Sequence, residues 1–332
     1  MDLHQIDTKL PYVGFGESRI GGRRENQDTY GYETTPFGLL VTVCDGMGGG
    51  PGGKTASSIA VSEIIEGVVN ASEDETATNA LLKAIHRANL AILEAAKENP
   101  DLQGMGTTCT ALLINNKSAV IAHVGDSRVY QLRGRHKVFR TFDHSMVFEL
   151  VKQKVINEEQ ARCSEQSNII TRALGLKPEL EIDVVERAYE KGDRFMLCTD
   201  GIHGTMPETE LIQRVANHNN LGQVVDGLAT YVDYLGRSHG GGHDNLTIVI
   251  IETKTKSTLN EKMSTRNKII LVGIAALLLA SFILNMSQCS RNKNSGKLEV
   301  NYESLSKAIQ KGDTSFAGPN GDTIIIEIKS KN

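Results

Sequence analysis

The chain has 332 residues, of which 39% are hydrophobic and 23% are charged, and its formal net charge is −4. These values are ordinary for a globular protein with one large domain or two average ones, and they show no basic excess that would indicate a nucleic-acid partner. The five cysteines show neither a CxxC pair nor the spacing of a zinc site or a disulfide framework. Because the N-terminus is polar and carries no apolar signal segment, we expect the bulk of the chain to stay in the cytosol.

An arginine-rich turn is the first motif along the chain. Residues 18–28 contain Arg23, Arg24, a glycine pair and an Asn-x-Asp sequence that ends at Asp28. The planar guanidinium group of arginine suits a phosphate or a carboxylate, but a solvated basic turn has the same composition. Arg24 fits that second interpretation.

A glycine-rich segment with an aspartate follows the first strongly apolar run. Residues 39–43 predict a buried strand that ends on Asp45, and Gly46 and further glycines then form a turn. Glycine lets the backbone approach a ligand, and a carboxylate beside free carbonyl groups suits a hard divalent cation. A tight turn that uses aspartate for its own hydrogen bonds is the alternative.

Two amphipathic helices come next. Apolar residues recur at helical spacing over residues 54–69 and again over 75–98. Asn99 and Pro100 end the second helix, because proline cannot continue it.

Two predicted β-hairpins follow the helices. Residues 108–114 and 118–124 form the first, and residues 129–132 and 137–141 form the second. The loop between the hairpins contains Asp126 next to a glycine, so an acid again stands at a strand end.

The remainder of this region alternates between polar and apolar elements. Residues 143–175 are mixed and polar, and we expect them to form a mobile excursion with short helical pieces. Residues 194–198 predict a strand that ends at Asp200, and residues 208–216 and 221–235 have helical period. A glycine-rich segment with Asp244 then leads into the strand predicted over residues 246–251.

One apolar segment separates a polar linker from a small tail. Residues 254–268 hold five basic side chains and have the composition of a linker. Residues 269–284 are apolar except for Ser281, and at about 1.5 Å per residue this run reaches roughly 24 Å. Extended to residue 286, it predicts a transmembrane helix over 269–286, with a buried core helix as the alternative.

The charges around this segment predict its orientation. Five basic residues precede it and three follow closely, so the side that contains residues 1–253 should face the cytosol. Residues 287–332 would then be a small extracytoplasmic tail, with a short helical pattern and a strand over 323–328. The protein would be a single-pass protein of the plasma (inner) membrane.

Five aspartates now stand out, and four of them are next to glycine or asparagine. They are Asp28, Asp45, Asp126, Asp200 and Asp244. Acids gathered in one place repel one another unless cations neutralise them, and ligation by oxygen alone favours Mg²⁺ or Mn²⁺. Two such ions can lower the pKa of a bridging water for in-line attack on phosphorus, while an arginine holds the phosphoryl oxygens.

These residues resemble, in identity and order, the type 2C metal-dependent Ser/Thr protein phosphatases in their bacterial form. The resemblance covers about residues 10–252. It is carried by Arg23-x-x-Asn26-Gln27-Asp28, Asp45-Gly46-Met47-Gly48-Gly49, Gly125-Asp126-Ser127-Arg128, Thr199-Asp200-Gly201 and Asp244-Asn245. It implies an α+β fold, a four-layer α-β-β-α sandwich of two antiparallel sheets flanked by helices.

The resemblance also implies roles for individual residues. Asp45 would bridge two metal ions, and the carbonyl group of Gly46 would bind one of them. Asp200 and Asp244 would complete the first ion, and Asp126 would bind a third, weaker ion together with Asp200. The roles of two further residues are catalytic: Asp28 would orient metal-bound waters, and Arg23 would bind the substrate phosphate. Residues 143–175 correspond to the family's flap, which influences substrate choice.

The chain departs from the family pattern at two positions. Many relatives have glutamate where Gln27 stands, so the neutral amide could weaken one metal site. The animal enzymes have a histidine where Met47 stands, and methionine cannot protonate the leaving group. A metal-bound water is then the hypothetical proton donor, and His243 is a second candidate that we expect to be an exposed loop residue. We expect His123, His144 and His203 to be structural or solvated.

Two functions remain in competition. The first is a membrane-tethered phosphatase that hydrolyses phosphoserine and phosphothreonine in proteins, with a Ser/Thr kinase acting on the same substrates. The second is a catalytically silent scaffold that uses the fold to bind a partner. The presence of all five aspartates and of Arg23 favours the enzyme.

Overall fold

The computed structural model describes residues 3–6, 11–48, 52–216 and 220–259, together with the backbone of 315–317 and 323–325. The chain divides into two units, residues 1–267 and 268–332. The described strands of the first unit are β1 His4–Ile6, β2 Tyr12–Arg19, β3 Asp28–Thr35, β4 Gly38–Met47, β5 Gly106–Thr107, β6 Cys109–Ile114, β7 Ala119–Val124, β8 Arg128–Arg133, β9 His136–Arg140, β10 Asp183–Arg187, β11 Asp193–Cys198 and β12 Leu246–Thr253. The described helices are α1 Gly52–Val69, α2 Ala77–Glu98, α3 Met146–Lys152, α4 Glu158–Arg162, α5 Asp200–His203, α6 Glu208–Val215 and α7 Leu221–Ser238.

The strands of the first unit form two antiparallel sheets. The first sheet has the order β1-β2-β12-β11-β8-β9, and the second has the order β10-β7-β6-β4-β3, with β5 paired to β4. Strands β2 and β12 are neighbours in the first sheet, although they lie near opposite ends of the unit in sequence. The first sheet therefore needs the chain from β1 to β12, and the second sheet uses strands from β3 to β10.

Three apolar layers hold the sheets and helices together. Helices α1 and α2 pack on the second sheet, and α6 and α7 pack on the first. A third cluster, which includes Val41, Leu112 and Phe195, lies between the two sheets and is fully buried. The order helix, sheet, sheet, helix is the α+β layering that the sequence led us to expect.

The two predicted N-terminal helices are confirmed to within a few residues. The hydroxyl group of Thr76 caps α2 by accepting a hydrogen bond from the Asn79 amide at 3.2 Å. The helix ends at Glu98, and Pro100 begins a short 3-10 turn. The hairpin predicted over residues 108–124 is also confirmed, as β6 and β7.

The strand that carries Asp45 is longer than predicted. The expectation that it ends on this aspartate is wrong, because β4 continues to Met47. Gly46 and Met47 pair with Thr107 and Gly106 of β5, which extends the ladder past the acid. Among the described strands of the first unit, β1, β2, β3, β5 and β10 were not predicted from the sequence.

The segment between β9 and β10 contains α3 and α4, in agreement with the short helical pieces that we expected for residues 143–175. Its end is anchored on α2 by the fully buried Asn89, which accepts a hydrogen bond from the Gly175 amide at 2.8 Å. The same side chain donates to the carbonyl group of Lys177 at 2.9 Å. The mobility of the segment stays a prediction.

The polar segment after β12 begins in contact with the domain. The Lys254 amide donates to the carbonyl of Pro11 at 2.9 Å, and the Ser257 amide donates to that of Tyr189 at 3.0 Å. The domain boundary at residue 253 stays a prediction, and most of the linker lies outside the described residues.

The second unit is described at two short strands. They are β13 Ser315–Ala317 and β14 Thr323–Ile325, which pair antiparallel. β14 confirms the start of the strand predicted over 323–328. The proposed transmembrane helix over 269–286 lies outside the described residues, and none of the helices within them is long and apolar enough to cross a membrane.

Truncating Phe195 tests the layer between the sheets. This side chain is fully buried and packs edge-on against Tyr189, with the ring centres 6.2 Å apart. Phe195→Ala should lower the free energy of unfolding by about 3–5 kcal/mol, because the neighbouring side chains cannot fill the cavity. Leu90→Ala, at a position on α2 that is 56% exposed, should change it by less than about 0.5 kcal/mol.

Urea unfolding followed by circular dichroism measures both variants. Equal stability of Phe195→Ala and Leu90→Ala would contradict a close-packed layer between the sheets.

Candidate active site

One end of the sandwich collects all five aspartates that the sequence singled out. Asp28 begins β3 and lies directly opposite Asp45 of β4. Asp126 lies in the loop from β7 to β8, Asp200 is the first residue of α5 after β11, and Asp244 lies just before β12. Strands of both sheets therefore contribute acids to one place.

The backbone of Asp45 is fixed by Thr107 of β5 and by Thr108, which lies between β5 and β6. Its amide donates a hydrogen bond to the hydroxyl group of Thr108 at 2.9 Å. Its carbonyl accepts from the Thr108 amide and from the Thr107 hydroxyl, both at 2.9 Å. The position of Asp45 thus depends on β5 and β6 as well as on its own strand.

The carboxylate of Asp28 is buried. One of its oxygens accepts hydrogen bonds, and the other has no hydrogen-bond partner. Its Oδ2 atom accepts hydrogen bonds from the hydroxyl groups of Thr199 at 2.9 Å and Thr247 at 2.7 Å. Its Oδ1 atom is buried and has no hydrogen-bond partner. Burial, aided by the charges of Asp200 and Asp244 and opposed by the two hydroxyls, raises the pKa of Asp28 to about 7.

Asp200 is the second acid with an orphaned oxygen. Its Oδ1 atom is buried without a partner. Burial and the charge of Asp244 raise its pKa to about 6, and a hydrogen bond with Asp45 opposes this shift. Asp200 therefore interacts with both Asp45 and Asp244.

The pKa values of Asp45 and Asp126 are also raised. Burial raises the pKa of Asp45 well above its usual range, and the charges of Asp28 and Asp200 add to the effect. Burial and the charge of Asp200 do the same for Asp126, whose carbonyl group is 3.0 Å from Nε2 of the buried His203. Without a cation, this cluster keeps protons that isolated aspartates lose.

Gly46, next to Asp45, is required by the close approach of α1. A Cβ atom at this position would lie 2.0 Å from the carbonyl oxygen of Gly53. The Gly46 amide donates to the Gln27 carbonyl at 3.2 Å. The absence of a side chain is thus what lets the first turn of α1 pack against the acid-bearing strand.

Arg23 stands at the rim of the aspartate cluster. Its guanidinium group donates to Oδ2 of Asp244 at 2.8 Å, and its side chain is 50% exposed. The turn that carries it requires Gly21, which has a φ of +61° and lies so close to the Asp244 carbonyl that a Cβ atom would be 2.1 Å away. The neighbouring Arg24 is also exposed, as the solvated interpretation predicts.

Asn245 connects this arginine turn to the start of β12. Its side-chain oxygen accepts from the Gln27 amide at 2.9 Å. Its side-chain nitrogen donates to the carbonyl groups of Ile20 at 2.7 Å and Glu25 at 2.9 Å. One buried amide therefore places Arg23 and Asp28 relative to Asp244.

His243 is not the exposed loop residue that we expected. Its side chain is 11% exposed, and its Nε2 atom lies 2.9 Å from Oδ1 of Asp233 on α7. The attraction of this carboxylate draws the ring onto the helix. Met47, the last residue of β4, has a thioether that donates no proton.

A pocket of about 210 Å³ lies between the aspartates and the segment from β9 to β10. Asp126, Asp200 and Asp244 line one side of it, and Phe148 and Arg162 line the other. At the pocket, Arg128 and Asp143 form a buried bidentate ion pair with distances of 2.7 and 2.6 Å. The pocket therefore adjoins both the acids and the segment between β9 and β10.

The donor set fits hard divalent cations. Oδ1 of Asp28 and Oδ1 of Asp200 are buried without a partner, and the charges of neighbouring acids raise the pKa values in the cluster. Cations that bind these oxygens would satisfy the orphaned atoms and remove the repulsion. Among the described residues, the three-residue set whose ligand atoms all lie within 4.8 Å is elsewhere, at His123, His144 and Asp183.

The sequence interpretation did not give roles to the polar residues that hold the acids. Thr108, Thr199, Thr247 and Asn245 support the acids but were not assigned any part. A usable signal existed for two of them, since Thr199 and Asn245 are immediate neighbours of Asp200 and Asp244. We expected His123, His144 and His203 to be structural or solvated, and the structure buries all three side chains.

Comparison with known proteins gives a consistent result. Residues 15–249 match the family model described as protein phosphatase 2C. The serine/threonine phosphatase Stp of Listeria monocytogenes is 34% identical, over 69% of this chain and 91% of its own length.

Two solved structures resemble the first unit. The crystal structure of the Mycobacterium tuberculosis serine/threonine phosphatase PstP/Ppp aligns with a TM-score of 0.66 at 28% identity, over 74% of this chain and 100% of that one. The catalytic domain of PstP in complex with two manganese ions aligns with a TM-score of 0.63 at 27% identity, over 73% and 97%.

The raised pKa values predict how the metal-free protein responds to pH. Asp28 and Asp200 have pKa values of about 7 and about 6 in the folded state, against 3.8 ordinarily. At these two acids the folded state binds more protons than the unfolded state between these values, so their contribution to stability should fall as the pH rises from about 4 to about 7. The buried His123, His144 and His203 contribute in the opposite direction, because burial lowers their pKa values.

Thermal unfolding in EDTA at about pH 5 and about pH 8 measures this effect. From the lower to the higher pH, the wild type should lose melting temperature relative to Asp28→Asn, in which the amide oxygen still accepts the two threonine hydroxyls but does not titrate. Mn²⁺ should restore this loss. Identical pH profiles of the metal-free wild type and Asp28→Asn would show that Asp28 is not buried among the other acids.

Proposed function

Because this chain belongs to the protein phosphatase 2C family and is a metal-dependent Ser/Thr protein phosphatase, we propose that the five aspartates and Arg23 form its catalytic centre. The observation that carries the proposal is the set of buried carboxylates with two orphaned oxygens beside an exposed guanidinium group. The silent scaffold is not favoured, since a scaffold has no need for mutually repelling buried acids.

We assign the metal ligands as follows. Asp45 and the Gly46 carbonyl, with Asp200 and Asp244, would hold a pair of divalent cations. Asp126 would hold a third, weaker cation together with Asp200. These ligands are all oxygens, which favours Mn²⁺ or Mg²⁺. When bound, the paired ions supply an activated water and neutralise charge on the phosphoryl group.

The protein groups perform the other parts of the reaction. Arg23 binds the phosphoryl oxygens of the substrate, and its salt bridge with Asp244 keeps the guanidinium at the rim until the substrate arrives. Oδ1 of Asp28, which has no partner, accepts a hydrogen bond from the attacking water and orients it. His243 is held by Asp233, so it is poorly placed to protonate the leaving group.

The pocket beside the acids fits this assignment. It lies between the aspartates and the flap, and it has room for a phosphorylated side chain. Phosphoserine and phosphothreonine in proteins are therefore the proposed substrates, and a Ser/Thr kinase that makes them is the proposed cognate partner.

Arg23 gives a sharp test of the assignment. Arg23→Ala should reduce kcat/KM for a phosphothreonine peptide about 100-fold or more, because the developing charge loses its donor. Arg23→Lys should fall between Arg23→Ala and the wild type, since an ammonium group keeps the charge but not the planar fork. Arg24→Ala, at the exposed neighbouring position, should keep wild-type activity.

The assay uses the full chain with Mn²⁺, and Asp45→Asn gives the background. Equal losses in the Arg23 and Arg24 variants would refute the assigned role of Arg23. Activity that survives Asp45→Asn would refute the assigned metal centre, and inactivity of the wild type in every divalent metal would favour the scaffold.

We also propose that residues 269–286 cross the inner membrane once, with the catalytic domain in the cytoplasm. The proposal rests on the run over 269–284, which is apolar except for Ser281, and on the basic residues that precede it. Residues 287–332 would then lie outside the cytoplasm.

Two cysteines of the chain test this topology. Cys289 lies in the tail, and Cys163 is an exposed residue of the catalytic unit. In spheroplasts, a membrane-impermeant maleimide should label Cys289 at once and Cys163 after permeabilisation. Cys163→Ser and Cys289→Ser identify which residue reacts. Labelling of Cys289 that requires permeabilisation would contradict the proposed orientation.

A further inference from the structure

A second cluster of metal-ligating side chains lies outside the aspartate site. His123 on β7 is directly opposite Asp183, the first residue of β10, and His144 stands two residues before α3. One ligand atom from each of these three residues lies within 4.8 Å of the others. The cluster therefore joins the edge of the second sheet to the start of the flap.

His123 is the least satisfied member of this cluster. Its side chain is 1% exposed, and neither ring nitrogen has a hydrogen-bond partner. Burial lowers the pKa of this imidazole to about 3, so the ring is neutral and carries a free lone pair. A buried polar ring without any partner is unfavourable, and an ion that accepts the lone pair would remove the cost.

His144 and Asp183 complete the constellation. The two imidazole rings lie with their centres 4.6 Å apart. Nε2 of His144 is 3.2 Å from a carboxylate oxygen of Asp183, whose side chain is 55% exposed. Two buried imidazoles and one half-exposed carboxylate therefore offer ligand atoms within 4.8 Å of one another.

Two members of the cluster line a groove that is open to solvent. A groove of about 440 Å³ is lined by His123 and Asp183, together with Phe139, Phe142 and Val185. An ion could enter along this groove, and a water molecule could occupy the position that the three side chains leave open.

We propose that His123, His144 and Asp183 form a transition-metal site, suited to Zn²⁺, with its fourth position open to the groove. Two imidazoles and one carboxylate are a ligand set of zinc, whereas Mg²⁺ and Mn²⁺ prefer oxygen alone. The site is separate from the proposed catalytic centre, so either can be correct without the other.

Two neighbouring groups adjust when an ion binds. Arg172 lies 3.3 Å from Nε2 of His144 and 3.1 Å from Asp183, and it also pairs with Glu181 at 2.8 Å. The ion displaces the guanidinium from the first two contacts, and the pair with Glu181 retains it.

The second adjustment concerns the tautomer of His144. The Gly125 amide donates to its Nδ1 atom at 3.2 Å, which assigns the proton to Nε2. When Nε2 binds the ion, the proton moves to Nδ1, and this long hydrogen bond is given up without net proton release. The bond from the His144 amide to the Gly125 carbonyl, at 2.8 Å, remains.

Cobalt absorption tests the site in the full chain. Excess Mg²⁺ occupies the oxygen sites, and Co²⁺ is then titrated. Co²⁺ bound to two imidazoles in a four-coordinate site absorbs visible light strongly, while Co²⁺ in a six-coordinate oxygen site absorbs weakly. We expect one strongly absorbing Co²⁺ per chain, which stoichiometric Zn²⁺ displaces.

Matched variants identify the ligands. His123→Leu removes a ring that has no partner, so the metal-free variant should be at least as stable as the wild type, yet it should bind Co²⁺ about 10-fold or more weakly. Asp183→Asn, at a half-exposed position, should weaken binding similarly. His86→Gln, an exposed histidine on α2, should bind as the wild type does.

The absence of a strong band in the wild type would overturn the proposal, and so would equal bands in all four proteins. Should His123→Leu fail to fold, the comparison of Asp183→Asn with His86→Gln decides the question.

Discussion

Repulsion among buried carboxylates is the constraint on which this structure depends. Asp28, Asp45, Asp126 and Asp200 are close together, and burial raises the pKa of each. Such a cluster is unfavourable in the metal-free protein, because the acids must either keep protons or repel one another. Divalent cations remove this conflict, which links metal binding to stability as well as to catalysis.

The sandwich holds the acids with rigid polar contacts rather than with long side chains. Thr108 fixes Asp45, the hydroxyls of Thr199 and Thr247 fix Asp28, and Asn245 fixes the arginine turn. These residues belong to strands of both sheets or to the loops beside them. The pairing of β2 with β12 therefore completes the first sheet and also brings the parts of the candidate active site together.

The sequence predicted the elements whose pattern is local. Helices α1 and α2 follow from apolar spacing, and the hairpin β6–β7 follows from its turn. Strand β10 was missed because its exposed edge position gives no apolar alternation, and β4 was cut short because its pairing with β5 comes from a segment about 60 residues away. Tertiary context also explains His243, which Asp233 draws onto α7.

The five aspartates could be selected from the sequence, but spacing alone could not bring them together. Their convergence followed from the resemblance to a family, and the fold then supplied the hydroxyl and amide contacts that no local pattern contains. The His123 cluster had no local signal either, because register across β7 and β10 creates it.

Anomalous diffraction at the manganese edge, from crystals of the full chain grown with Mn²⁺, tests the central claim most directly. The account predicts two strong peaks among Asp45, Asp200 and Asp244, with Asp45 in contact with both. Peaks at other places, or none among these three carboxylates at saturating Mn²⁺, would contradict it.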